Sequence, residues 1–163
     1  MRFKALSLLI LSVLSKNVWG AIDSATSNTE SGSFGPGIML GEPTGINLKY
    51  WTSYSNALNF GLTYSSGNSL AFLGDWLWHF PGAFTSIKHS RFLNELVPYV
   101  GLGGLISEVT NSSAALGIRI PVGVEFLPKH PPLGVFLEIA PGMTLLPGIG
   151  GFLQADIGIR YYL

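Results

Sequence analysis

Cysteine does not occur among the 163 residues. Disulfides are thereby excluded, and so is the lipid-carrying cysteine that would anchor an exported lipoprotein. Charge is the second shortage: Asp, Glu, Lys and Arg make up 11% of the chain and hydrophobic residues 47%, where ordinary soluble domains carry roughly 25% charge. That is too little to coat a globule in water. The third absence is a long apolar run. Beyond the N-terminal stretch, Gly, Pro, Asn, Ser or a charged residue interrupts every hydrophobic segment before it reaches the roughly 18 residues that a membrane-spanning helix needs. A greasy chain without a greasy helix crosses a bilayer only as a β-barrel.

Residues 1–20 read as a secretory signal: Arg2 and Lys4 form the basic start, Ala5 to Leu14 the short apolar core, and Val18 and Gly20 supply small residues at cleavage spacing. Residues 21–33 are small and polar without apolar periodicity, and are expected to be a flexible leader. Residues 34–163 then form the barrel, with no length left for a second domain. After the signal, Lys49, Lys88, Arg91, Arg119, Lys129 and Arg160 face nine Asp and Glu. No basic run is present to neutralise phosphates, which excludes nucleic acid as a partner.

What is present is alternation. Leu116, Ile118, Ile120, Val122, Val124 and Phe126 alternate with Gly117, Arg119, Pro121, Gly123 and Glu125, the signature of a strand with one apolar face. The opposite face carries small residues and isolated charges, which suits a narrow, packed lumen. The same parity recurs in Ile46, Leu48 and Tyr50 against Gly45, Asn47 and Lys49, and in Trp76, Trp78 and Phe80 against Asp75, Leu77 and His79. Eight such segments are expected, at about 34–41, 44–51, 57–64, 69–80, 96–107, 114–127, 133–144 and 152–163. Segments of about ten residues tilted some 45° cross a bilayer core. Most connectors are hairpin-sized runs of Gly, Pro, Asn and Ser. The exception, Pro81 to Glu95, has room for a short helix.

Aromatics gather at the same end of alternate strands: Tyr50 and Trp51, then Trp76, Trp78 and Phe80, then Phe126, then Tyr161 and Tyr162. In an antiparallel barrel these ends share a rim, where Trp and Tyr are expected to form an interfacial girdle. The inner parity carries Lys49, Asp75, His79, Arg119, Glu125, Glu138, Asp156 and Arg160. Charges in a poorly hydrated interior must find partners, so an internal ion-pair network is expected, with Glu125, Glu138 and Arg160 the first choice as neighbours.

Other chemistry has thin support. His79, His89 and His130 are scattered without ligand spacing, so no metal site is expected. His89-Ser90 with Glu95 holds the residue types of a hydrolase, but adjacent side chains on an extended chain point apart and no nucleophile elbow is present. The stretches Gly101-Leu102-Gly103-Gly104 and Gly148-Ile149-Gly150-Gly151 open no helix as a phosphate loop would, and glycine there is expected to make room in a tight barrel. No cofactor and no catalytic residue are expected.

The segments Gly41 to Trp51, Asp75 to Phe80, Leu96 to Gly104, Leu116 to Gly142 and Asp156 to Leu163 together resemble the small OmpA/OmpX-type eight-stranded outer-membrane barrels, the outer membrane protein β-barrel domain proteins. The resemblance implies a cell outer-membrane location, outer-membrane lipids as surroundings, and barrel-insertion machinery and periplasmic chaperones as partners in biogenesis. It also implies a monomer with a structural, membrane-integrity or surface-antigen role. Two departures stand out. The class usually ends in Phe where this chain ends Tyr161-Tyr162-Leu163, and the longest connector falls on the same side as the termini. The alternatives are a lipid-modifying enzyme of the lipid A acylase or deacylase kind, and a soluble lipocalin-like carrier with its apolar face inside.

Overall fold

In a computed structural model of the protein, residues 32–65, 69–84, 91–109, 113–128 and 130–163 are described. The expected signal peptide and nearly all of the leader lie outside them. Among the described residues nine strands run in chain order: β1 (Phe34–Glu42), β2 (Thr44–Trp51), β3 (Asn56–Ser65), β4 (Ser69–His79), β5 (Leu96–Val109), β6 (Ser113–Arg119), β7 (Val122–Phe126), β8 (Leu133–Leu146) and β9 (Gly150–Tyr161). A four-residue helix, α1 (Arg91–Asn94), precedes β5. It sits in the long connector, with the Phe92 ring 5.0 Å from that of Phe126.

Every pairing is antiparallel, and β9 closes onto β1. The strand expected at 114–127 is split at Ile120-Pro121, so that β6 and β7 together form one stave of an eight-stranded up-and-down barrel. Proline explains the split, because it has no N–H to give to the ladder. The neighbours still hold the gap: Gly101 N donates to the Pro121 carbonyl at 2.7 Å and Ile120 N to the Pro141 carbonyl at 2.9 Å.

Register fixes the shape. Gly37 pairs with Asn47, Asn47 with Gly61, Gly61 with Leu73, Leu73 with Leu105, Leu105 with Gly117, Gly117 with Thr144 and Thr144 with Gly150. On closure, however, Gly37 meets β9 at Arg160, ten residues beyond Gly150. That stagger tilts the strands, typically by 35–45°, and leaves an interior just wide enough for side chains.

The faces fall as the alternation requires. Arg119 and Glu125 are 0% exposed, whereas Ile118 and Ile120, which flank Arg119 on the other parity, are 44% and 49% exposed. The soluble-carrier alternative, which needs the apolar face inside, is thereby overturned. Leu40, Ile46, Leu62, Phe72, Leu102, Ile106, Leu137, Ile139 and Ile157 continue the exposed apolar surface around the barrel. We call the end that carries Phe34 and Tyr161 the terminal rim, and the end that carries the β1–β2 and β8–β9 hairpins the far rim.

Candidate functional site in the barrel lumen

All eight inner-parity residues named from the sequence (Lys49, Asp75, His79, Arg119, Glu125, Glu138, Asp156 and Arg160) are buried. They come from six of the nine strands, because period-two alternation aims every second side chain at the axis. β1 contributes space instead. A Cβ at Gly35 would lie 2.6 Å from the Tyr162 ring, and one at Gly37 would lie 2.6 Å from Asn47 Oδ1 and 2.7 Å from Arg160 Cγ.

Two clusters divide these charges. Nearer the terminal rim, Glu125 is the hub: it accepts from Lys49 Nζ, from Arg160 Nη1 at 3.1 Å and from the Tyr162 hydroxyl at 2.6 Å. Lys49 Nζ also lies 2.7 Å from His79 Nε2. With the ammonium as donor, that nitrogen accepts and the ring proton sits on Nδ1. The Lys49 ammonium further lies 4.2 Å from the centre of the Trp51 ring, an attraction between cation and π face.

The second cluster is built on Arg119. Its Nη2 donates to Glu138 Oε1, its Nη1 to Gln154 Oε1 at 2.7 Å, and its Nε lies 3.1 Å from Asp75 Oδ1. Tyr99 donates to Glu138 Oε2 at 2.8 Å. Asn59 bridges the clusters, donating to Asp75 Oδ2 at 3.1 Å and accepting from Arg160 Nη2 at 3.4 Å. The remaining volume is filled by Phe136, whose ring lies 3.6 Å from the Arg160 guanidinium carbon, and by Met39, Leu73 and Leu77.

Several expectations are refined by this geometry. Arg160 does meet Glu125, but Glu138 goes to Arg119 and Tyr99. Asp156 is buried opposite Glu138, and neither of its carboxylate oxygens has a hydrogen-bond partner among the described residues. Trp51, expected in the girdle, is instead 0% exposed in the lumen, its ring 4.3 Å from that of His79. Parity is the reason: Tyr50 takes the outward position, and the next residue must turn inward. Tyr50, Trp76, Trp78, Phe80, Phe126 and Tyr161 lie on the outer parity.

Tyr162, expected beside Tyr161 in the girdle, is likewise in the lumen because the parity that sends Tyr161 outward turns it inward. The lumen partners that the sequence did not mark are neutral: Asn59, Tyr99 and Gln154. Their inner parity was readable, but nothing in the sequence marks a neutral residue as an ion-pair partner. The glycine expectation holds for one stretch and fails for the other. A Cβ at Gly103 would overlap Asp75 Oδ1, whereas at Gly148, Gly150 and Gly151 nothing lies within 4 Å.

As chemistry, the arrangement is a side-chain-filled interior in which three cations, Lys49, Arg119 and Arg160, pair with three of the four buried carboxylates. Among the described residues no group of three or more His, Cys, Asp or Glu is placed to hold a metal ion. His79 is engaged by Lys49 and His130 is exposed at a connector, while His89 and Ser90 lie outside the described residues.

Comparison with solved structures assigns the architecture. The crystal structure of the N-terminal β-barrel domain of Pseudomonas aeruginosa OprF superposes with a TM-score of 0.60 at 15% identity, over 82% of this chain and 98% of that one. A de novo designed transmembrane β-barrel superposes with a TM-score of 0.53 at 16% identity, over the same shares of the two chains. The fold is the closed eight-stranded antiparallel barrel of those two structures. No family model matches the sequence, and no curated protein matches it.

Proposed function

We propose that the protein is an integral outer-membrane barrel whose lumen is plugged by its own side chains, and that its role is structural: membrane integrity or surface presentation rather than transport or catalysis. The observation that carries this reading is the inversion of a soluble protein, with aliphatic and aromatic side chains outward and seven charged side chains of both signs buried on the axis. Such an exterior is stable only against acyl chains. The rims fit the same reading, with exposed Tyr161, Trp78 and Phe80 toward the terminal rim, where amphipathic rings settle at a membrane surface.

On this reading outer-membrane lipids are the surroundings, the terminal rim faces the periplasm, insertion machinery and chaperones deliver the chain, and the barrel works as a monomer. The long connector with α1 then lies on the periplasmic side, away from the surface. The lipid-enzyme alternative finds no supporting nucleophile and base among the described residues.

The test is refolding into detergent and lipid, followed by gel mobility with and without boiling and by planar-bilayer conductance. The plugged barrel runs as a compact, heat-modifiable band and does not conduct. Steady conductance would replace the structural reading with a channel, and altered lipid A acylation in cells that produce the protein would replace it with an enzyme.

A further inference from the structure

Tracing the outward residues from the terminal rim shows walls of unequal height. Phe34 on β1, Tyr50 on β2, Phe126 on β7 and Tyr161 on β9 all start from that rim. On β1 the apolar series Phe34, Pro36, Ile38, Leu40 stops at exposed Glu42, and on β2 the series Tyr50, Leu48, Ile46 stops at exposed Thr44. Gly41 and Thr44 close that hairpin: the Thr44 hydroxyl donates to the Gly41 carbonyl at 2.9 Å. Gly41 has φ +144, a conformation that favours glycine.

Beyond β9, on β8 and on the β6–β7 stave next to it, the series is far longer. It runs from Phe126 to Leu116 on β7 and β6, and from Val135 to Leu145 on β8, before reaching Ile149, which is 83% exposed at the hairpin tip. No charged residue occurs between Glu138 and Asp156. With about 3.3 Å per residue and a tilt near 45°, the apolar wall from Phe34 to Leu40 is about 14 Å tall and that from Val135 to Leu145 about 23 Å. The pairing shows the same step independently. β1 reaches its last β9 partner at Glu42–Ala155, while β8 and β9 stay paired as far as Thr144 and Gly150.

A bilayer core of roughly 25 Å matches the tall wall and not the short one. We infer that the β1–β2 wall locally thins the leaflet at the far rim, drawing lipid headgroups down to Glu42 and Thr44 and compressing the acyl chains there by roughly 10 Å relative to the β6–β8 wall. The inference rests on the membrane-barrel reading. A rigid tilt is the competing arrangement, and it would lift one side of the terminal rim out of register with the other. The girdle residues give no such offset, since aromatics begin the apolar series on both walls.

Because the chain has no cysteine, single labels report without background. Fluorescent labels on Phe34→Cys, Glu42→Cys, Phe126→Cys and Leu145→Cys are placed by depth-dependent quenching, in phosphatidylcholine vesicles with 18-carbon chains brominated at known positions. Labels 34 and 126 are expected at one depth in one interface, and labels 42 and 145 at one headgroup depth in the other, despite their unequal height on the barrel. Leu40→Cys serves where Glu42→Cys does not fold, and is expected within about 5 Å of the headgroups. A label at 42 or 40 deep among the acyl chains overturns the inference, as does a depth difference of roughly 10 Å between labels 34 and 126, which is the mark of tilt. Failure of every variant, and of the unmodified chain, to enter vesicles sinks the membrane reading itself.

Discussion

Asp156 faces Glu138 directly across the β8–β9 ladder. Glu138 is satisfied by Arg119 and Tyr99, whereas both oxygens of Asp156 are buried without a hydrogen-bond partner among the described residues. Like charges placed opposite each other on a sheet repel, by up to about 1 kcal/mol. Asp156→Asn is therefore expected to stabilise the folded barrel by about 1 kcal/mol in urea titrations monitored by gel mobility. A loss of stability would show that Asp156 has a role in the plug that its contacts do not reveal.

Glu125 behaves oppositely. It is the shared acceptor of Lys49, Arg160 and Tyr162, so Glu125→Gln leaves two buried cations without their anion. Breaking a buried pair from one side costs about 3–5 kcal/mol, and the variant is expected to unfold at markedly lower urea. A change below about 1 kcal/mol would mean the lumen is hydrated enough to solvate both cations.

Tyr161 and Tyr162 are neighbours in sequence with opposite fates. Tyr162 is 5% exposed and donates to Glu125, while Tyr161 lies on the outer surface. A hydrogen bond to a charged group contributes about 1.5–3 kcal/mol. Tyr162→Phe is expected to lose an amount of that order, and Tyr161→Phe to lose little. Equal effects from the two substitutions would contradict the parity of the last strand.

The glycines separate in the same way. A Cβ at Gly103 would overlap the carboxylate that pairs with Arg119, but at Gly74 the nearest atom is a Phe60 ring carbon at 3.7 Å. Gly103→Ala is expected to cost about 1–3 kcal/mol as overpacking, and Gly74→Ala to refold normally. Thermal unfolding of the pair decides it, and tolerance at Gly103 would show that Asp75 is free to move.

Alternation made most of this legible in the sequence. The sharp contrast of Ile118 and Ile120 with Arg119 shows which side each residue takes, and hairpin chemistry places the strands to within two or three residues. The break at Pro121 was visible as a residue but not as an interruption, because the apolar parity runs straight through it. Pairing inside the lumen was the harder part. Which cation meets Glu125 depends on the stagger of strands far apart in the chain, and Lys49 reaches it from β2 only because the barrel closes with a ten-residue offset between Gly150 and Arg160. Trp51 was misplaced because its type suggested the girdle while its parity demanded the interior.

The central claim is that the outer parity meets lipid. Single-cysteine labels on Ile118, Ile120 and Val122 in reconstituted vesicles measure it directly, by comparing quenching from brominated acyl chains with quenching from aqueous iodide. Strong quenching by the lipid and none by iodide at all three positions is the expected result. Iodide quenching at these positions, with the lipid bromines silent, would contradict the account.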